Sequence, residues 1–188
     1  AIVVTSVLLG FSLPVFAVEG DVIINEVMWM GSNAVSDADE WIELRNRTAD
    51  AIDLAGWTID GAGSGSNAIT ITSGVIPAGG YFLIGNYASS SSAISDEIIV
   101  DFVVPGISLA NGGEVLTLRD ATKGVVDVSP TGAWENSNNN SSPVGQRNSL
   151  ERNDAPGTGT AWSDWHVCID IGCNDTTFWD MEGVDYGT

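Results

Sequence analysis

The sequence predicts an all-β fold, an antiparallel β-sandwich, from three observations: apolar runs of strand length, turn formers spaced regularly between them, and no helical periodicity. From Val22 onward the runs are VIINEVMW (22–29), EWIELRN (40–46), GWTID (56–60), AITIT (68–72), GYFLIGN (80–86), EIIVDFV (97–103), ISLA (107–110), EVLTLRD (114–120) and GVVDVS (124–129). β-Branched and aromatic residues dominate them, and such side chains suit a pleated, half-buried surface. Short strands recurring every ~8–12 residues are the pattern of a sandwich or barrel.

Turn chemistry sharpens the order of the strands. Asn111-Gly112-Gly113 supplies the positive-φ positions of a tight hairpin between ISLA and EVLTLRD. Pro77-Ala78-Gly79-Gly80 turns the chain into YFLIGN, and Ala121-Thr122-Lys123-Gly124 joins Leu118 to Val125. These signals predict a meander of Ile107–Ala110, Glu114–Asp120 and Gly124–Ser129. Segments 61–67 (GAGSGSN), 88–95 (ASSSSAIS) and 136–142 (NSNNNSS) have little to bury and read as flexible loops. Beyond Thr160, Trp, Asp and two Cys crowd into an acidic end, read as a closing strand followed by a linker or by the start of a second module.

The first eighteen residues, AIVVTSVLLGFSLPVFAV, hold no charge and end on small residues. They have the apolar core and cleavage site of an export signal, so residues 1–17 are expected to be removed and the mature chain to start at Val18. The alternative is an uncleaved anchor, since the stretch reaches the lower limit of ~17–25 residues for a membrane span. The chain opens at Ala1 without Met, so a few residues are expected to precede it.

All 25 acidic and all 6 basic residues follow that segment, leaving a formal charge of −19 on the mature chain. Such a field repels phosphates, so direct nucleic-acid binding is not expected unless metal ions bridge the two. Cys168 and Cys173 are the only cysteines, and His166 the only histidine. In an oxidising exterior the cysteines are expected to form a small local disulfide, worth about 2 kcal/mol, instead of a zinc pair.

The opening VIINEVMW, then DEWIELRNRTADAIDLAGWTID, IPAGGYFLIG, SLER and WSDWHV, in that order and spacing, resemble the lamin tail domain of bacterial secreted proteins from Val22 to about Val167. The resemblance implies an immunoglobulin-like β-sandwich over 22–167, with 168–188 as an acidic tail or linker. It also implies an accessory domain of exported proteins, sometimes beside nuclease or other hydrolase domains. Nothing matches a coiled-coil rod, so no filament role is carried over. Trp41, Trp57 and Trp165 fall where the family pattern keeps an apolar or aromatic residue, and are expected in the core.

Several residues carry a candidate chemistry beside a plainer one. Glu26 and Glu43 interrupt apolar runs; they either occupy the solvent face of their strands or meet Asn25 in a polar cluster or ion site. Asp37, Asp39 and Glu40, with Asn33 and Ser36 nearby, offer hard oxygen ligands of the kind calcium accepts, but lack the EF-hand spacing. A solvated acidic loop is the plainer reading. Asp170, Asp175, Asp180, Glu182 and Asp185 are more dispersed and read as acidic tail. Trp29, Trp134 and Trp179 sit beside loops, as an exposed platform for carbohydrate or peptide or as a plug closing one end of the sandwich.

No G-x-S-x-G, H-E-x-x-H or phosphate loop occurs, and paired acids would need a shaped cleft to act as a glycosidase. The expectation is an exported, non-catalytic adhesion or assembly module in the medium or cell envelope, with an unknown protein or polysaccharide partner. The alternative is an accessory domain of a secreted hydrolase or nuclease. Membrane contact is expected only if the N-terminal segment is retained.

Overall fold

The computed structural model describes residues 17–31, 38–92, 94, 98–134 and 148–168. Among them are twelve strands: β1 (Val22–Met28), β2 (Trp41–Asn46), β3 (Ile52–Asp53), β4 (Thr58–Gly63), β5 (Asn67–Thr70), β6 (Val75–Ile76), β7 (Tyr81–Gly85), β8 (Phe102–Val103), β9 (Thr117–Arg119), β10 (Val125–Val128), β11 (Leu150–Arg152) and β12 (Trp165–Val167). A six-stranded sheet runs β12-β11-β1-β2-β7-β8, a four-stranded sheet runs β10-β9-β4-β5, and β3 pairs with β6. The expected all-β, immunoglobulin-like sandwich is what forms. In detail the expectation of purely antiparallel pairing is corrected by β7 and β8, which pair in parallel through Ile84↔Phe102 and Gly85↔Val103.

Alternation explains the core. In β2, Ile42 and Leu44 are fully buried, and in β7, Phe82 and Ile84 stand opposite them. From the other sheet, Ile59, Leu118 and Val126 join the same cluster, with Leu116 from just before β9. Each fully buried aliphatic side chain of this kind contributes about 1.5–3 kcal/mol relative to exposure.

β1 departs from simple alternation. Ile24 pairs with Leu44 and Glu26 with Glu43, so two steps along β1 match one along β2. The extra residue, Asn25, is a β-bulge. It places Asn25 and Glu26 on one face and returns Val27 to the face of Val22 and Ile24.

Two further sequence expectations are corrected. Ile107–Ala110 does not extend the β9–β10 hairpin: the other edge of β9 is taken by β4, through Ile59↔Leu118. The 107–110 backbone bonds elsewhere, Ser108 N–H to Ala62 O (3.0 Å) and Leu109 N–H to Glu40 Oε2 (3.0 Å). The 61–67 segment is not a loose loop; it completes β4, makes one 3-10 turn at Ser64–Ser66 and opens β5, with Ala62 fully buried. A Cβ on Gly61 would collide with Val115 O, so the glycine serves close backbone approach.

The expected Cys168–Cys173 disulfide reaches outside the described residues: no disulfide bond joins two described residues, and Cys173 is not one of them. What holds the buried Cys168 to the fold within the described residues is its N–H bonded to Ser149 O at 3.0 Å, continuing the β11–β12 ladder. That ladder makes Trp165–Val167 the closing strand. Residues 1–16, 136–142 and the acidic tail from 169 onward, including Asp170, Asp175, Asp180, Glu182 and Asp185, lie outside the described residues.

Candidate functional site: a polar row across the six-stranded sheet

Strand pairing sets a row of polar residues across the face turned away from the four-stranded sheet. His166 stands opposite Glu151, Glu151 opposite Glu26, and Glu26 opposite Glu43. The bulge adds Asn25, whose Nδ2 donates to Glu43 Oε1 at 2.7 Å. Ser149 Oγ donates to Glu26 Oε1. His166 Nε2 lies 3.2 Å from Glu151 Oε2, at ion-pair distance but out of hydrogen-bond alignment, and Nδ1 contacts Asn153 Oδ1 at 2.9 Å.

The row is buried: Asn25, Glu26 and Glu151 are at most 3% exposed. Burial pushes the Glu43 carboxyl up to about 7; the Asn25 hydrogen bond opposes this, the charge of Glu151 adds to it, and Arg45 pulls it back. At neutral pH Glu43 therefore lies near its midpoint.

A second buried polar set lies between the sheets. Arg152 on β11 reaches β10, with Nη1 3.1 Å from Asp127 Oδ2, while its guanidinium sits 5.0 Å from the Trp165 ring centroid. Asp127 Oδ2 also accepts the Ile24 N–H at 2.8 Å, so one carboxylate ties β10 to both β1 and β11. Burial pushes Asp127 up to about 6, against the pull of Arg152 and of the Ile24 and Val128 N–H groups. Burial also lowers Arg152 from its ordinary value, with Asp127 opposing, but the guanidinium keeps its proton at neutral pH.

Of the sequence candidates, the structure brings together Asn25, Glu26 and Glu43, as the polar-cluster reading expects. It adds Ser149, Glu151 and His166, which the sequence reading did not connect to them. The signal was present in the SLER segment, where Ser149 and Glu151 share the alternate positions of a strand.

Among the calcium candidates, Asp37 lies outside the described residues, and Asp39 and Glu40 are buried. Glu40 directs Oε2 at the Leu109 N–H, a structural contact. Among the described residues no group of three His, Cys, Asp or Glu side chains is arranged to hold a metal ion.

The tryptophans resolve toward packing. Trp41, Trp57 and Trp165 are buried as expected. Trp29 and Trp134 are also buried and stack with centroids 6.2 Å apart, and Trp162 meets Trp134 edge-on at 6.1 Å. They plug the fold instead of forming a platform; Trp179 lies outside the described residues.

Chemically, the row can exchange protons near neutrality, but it does not assemble a nucleophile with its base. The Ser149 hydroxyl is bound to Glu26, while His166 is engaged by Glu151 and Asn153. A comparison with curated proteins returns no match. A family model, Lamin Tail Domain, matches residues 17–132, more than half of the chain, stopping short of β11 and β12, which complete the six-stranded sheet. The chain belongs to the lamin tail domain family.

Proposed function

We propose that this chain is an exported, non-catalytic binding or structural module, working in adhesion or assembly outside the cytoplasm. The observation that carries the reading is the use made of its polar groups. Among the described residues, the histidine and the buried strand carboxylates are tied into cross-strand contacts that hold the sandwich together. A hydrolase needs a nucleophile or water activated by a base in an open cleft. The apolar, uncharged N-terminal segment supports export, with Val18 as the mature start.

Secretion of the chain from an exporting host, followed by N-terminal sequencing and incubation with isolated envelope polysaccharide and with DNA, tests both parts. The expected result is a mature start at Val18 and retention on envelope material with no release of reducing ends or nucleotides. Retention of residues 1–17 would overturn the export reading, and product release abolished by Glu151→Gln would overturn the non-catalytic one.

A further inference from the structure

On a chain with 25 acidic and 6 basic residues, two arginines that line one hollow stand out. Arg119 is paired with Asp60 at 2.6 Å and Arg152 with Asp127 at 3.1 Å. Arg45 and Arg47 join no ion pair among the described residues, and both line one hollow of about 270 Å³ with Asn46, Gly79, Asp154 and Pro156. A guanidinium has five N–H donors. Arg47 uses Nη1 on Gly20 O at 3.2 Å, while Arg45 lies 5.6 Å from the centroid of the half-exposed Tyr81 ring.

The walls of the hollow are fixed by hydrogen bonds within the fold. Asn46, fully buried, donates through Nδ2 to Asp50 O at 2.7 Å and Pro77 O at 2.8 Å. The Arg47 N–H bonds to Asp21 O at 2.8 Å, and Arg152 Nε holds Pro156 O at 3.0 Å. A preorganised site of this kind spares the ligand the cost of ordering it.

We infer that this hollow binds the carboxylate of an acidic sugar, a uronate unit of an extracellular polysaccharide; the inference rests on the binding-module reading above and gives it a ligand class. Guanidinium forks match a planar carboxylate with two parallel N–H bonds. Asp154 on the rim accepts from sugar hydroxyls and disfavours a doubly charged phosphate. Beside the hollow, the half-exposed Tyr81 ring next to Arg45 offers apolar surface to the C–H face of a sugar ring. The surrounding charge of −19 opposes a long polyanionic track, so the site reads one acidic unit at a time.

Calorimetric titration of the full chain at pH 7.5 and physiological salt, with trigalacturonate, uncharged galactotriose and inorganic phosphate, tests the assignment. Saturable binding is expected for trigalacturonate alone. Arg45→Gln with Arg47→Gln should weaken it by about tenfold or more, as loss of charge-assisted hydrogen bonds implies, with an unchanged melting temperature. If the double variant melts early, Arg47→Gln alone, at an exposed side chain, supplies the comparison. Undetectable trigalacturonate binding, binding unchanged in the variants, or equal binding of phosphate would overturn the inference. Retention on whole envelope polysaccharide, measured in parallel, separates the two readings: retention that survives the double variant removes this site and leaves the binding module standing.

Discussion

The two faces of the six-stranded sheet solve the burial of ionisable groups in opposite ways. Between the sheets, Asp127 meets Arg152, so opposite charges compensate each other and join β10 to β1 and β11. On the far face, Glu26, Glu43 and Glu151 stand in one cross-strand row, and burial beside like charge moves a proton onto Glu43 near neutral pH. Burial raises both carboxyls, but beside Arg152 Asp127 stops at about 6 and stays mostly charged at neutral pH, whereas Glu43, with Glu151 near it, reaches about 7. The first arrangement fixes the fold. The second leaves a face whose charge responds to its surroundings.

The largest expected effect comes from breaking the inner pair. Arg152→Leu leaves Asp127 buried without its cation and should cost about 3–5 kcal/mol of unfolding free energy, read by urea denaturation. Replacing both partners, as Arg152→Leu with Asp127→Leu, should recover a substantial part of that loss; no recovery would mean that Arg152 acts through packing on Trp165 and not through charge.

The next effect in size is the pH dependence of the parent chain. Folded Glu43 holds its proton up to about 7, against 4.5 ordinarily, so the folded state binds more protons than the unfolded one between those values. Its contribution to stability is complete below about pH 4.5 and is lost as pH rises through 7. Asp127, raised from 3.8 to about 6, acts with the same sign. Stability should therefore increase from pH 7.5 to pH 5, by at most about 2–3 kcal/mol from Glu43, and the relief of a charge of −19 works in the same direction. A melting temperature that falls over this interval would contradict the burial of a raised Glu43.

The smallest is Asn25→Ala. It removes the one hydrogen bond donated to Glu43 from the bulge and should cost about 1 kcal/mol at pH 7.5. Because the lost bond favoured the charged form, the Glu43 titration midpoint should also move upward. Carboxyl-carbon NMR of the parent and variant checks the direction, and a downward shift would contradict it.

Much of the fold was legible because strand-length runs and turn residues agree locally. β1, β2, β7 and the β9–β10 hairpin lie where the sequence places them. The predicted meander failed at Ile107–Ala110 because a good local hairpin signal lost to a long-range partner, β4, on the edge of β9. β3 and β6 are two-residue strands, too short for any periodicity to register. Gly61 marked close packing instead of freedom, a distinction that depends on Val115 from a distant part of the chain.

The site was half legible. Asn25, Glu26 and Glu43 stood out by interrupting apolar runs, but a break in alternation does not say whether a bulge follows. Glu151 and His166 join them only through the β1–β11 and β11–β12 pairings, contacts that span more than a hundred residues between β1 and β11. The Arg152–Asp127 pair was hidden for the same reason, since nothing local distinguishes a buried arginine from an exposed one.

The contrast between the two faces is tested most directly by urea unfolding of the parent, Arg152→Leu and Glu43→Gln side by side at pH 7.5. Arg152→Leu should lose about 3–5 kcal/mol, whereas Glu43→Gln, which keeps an acceptor for Asn25 and removes a carboxylate that burial disfavours, should lose nothing or gain slightly. Equal losses in the two variants would show that Glu43 is held as a required charge, and the distinction between a charge-locked inner face and a protonable outer face would fall.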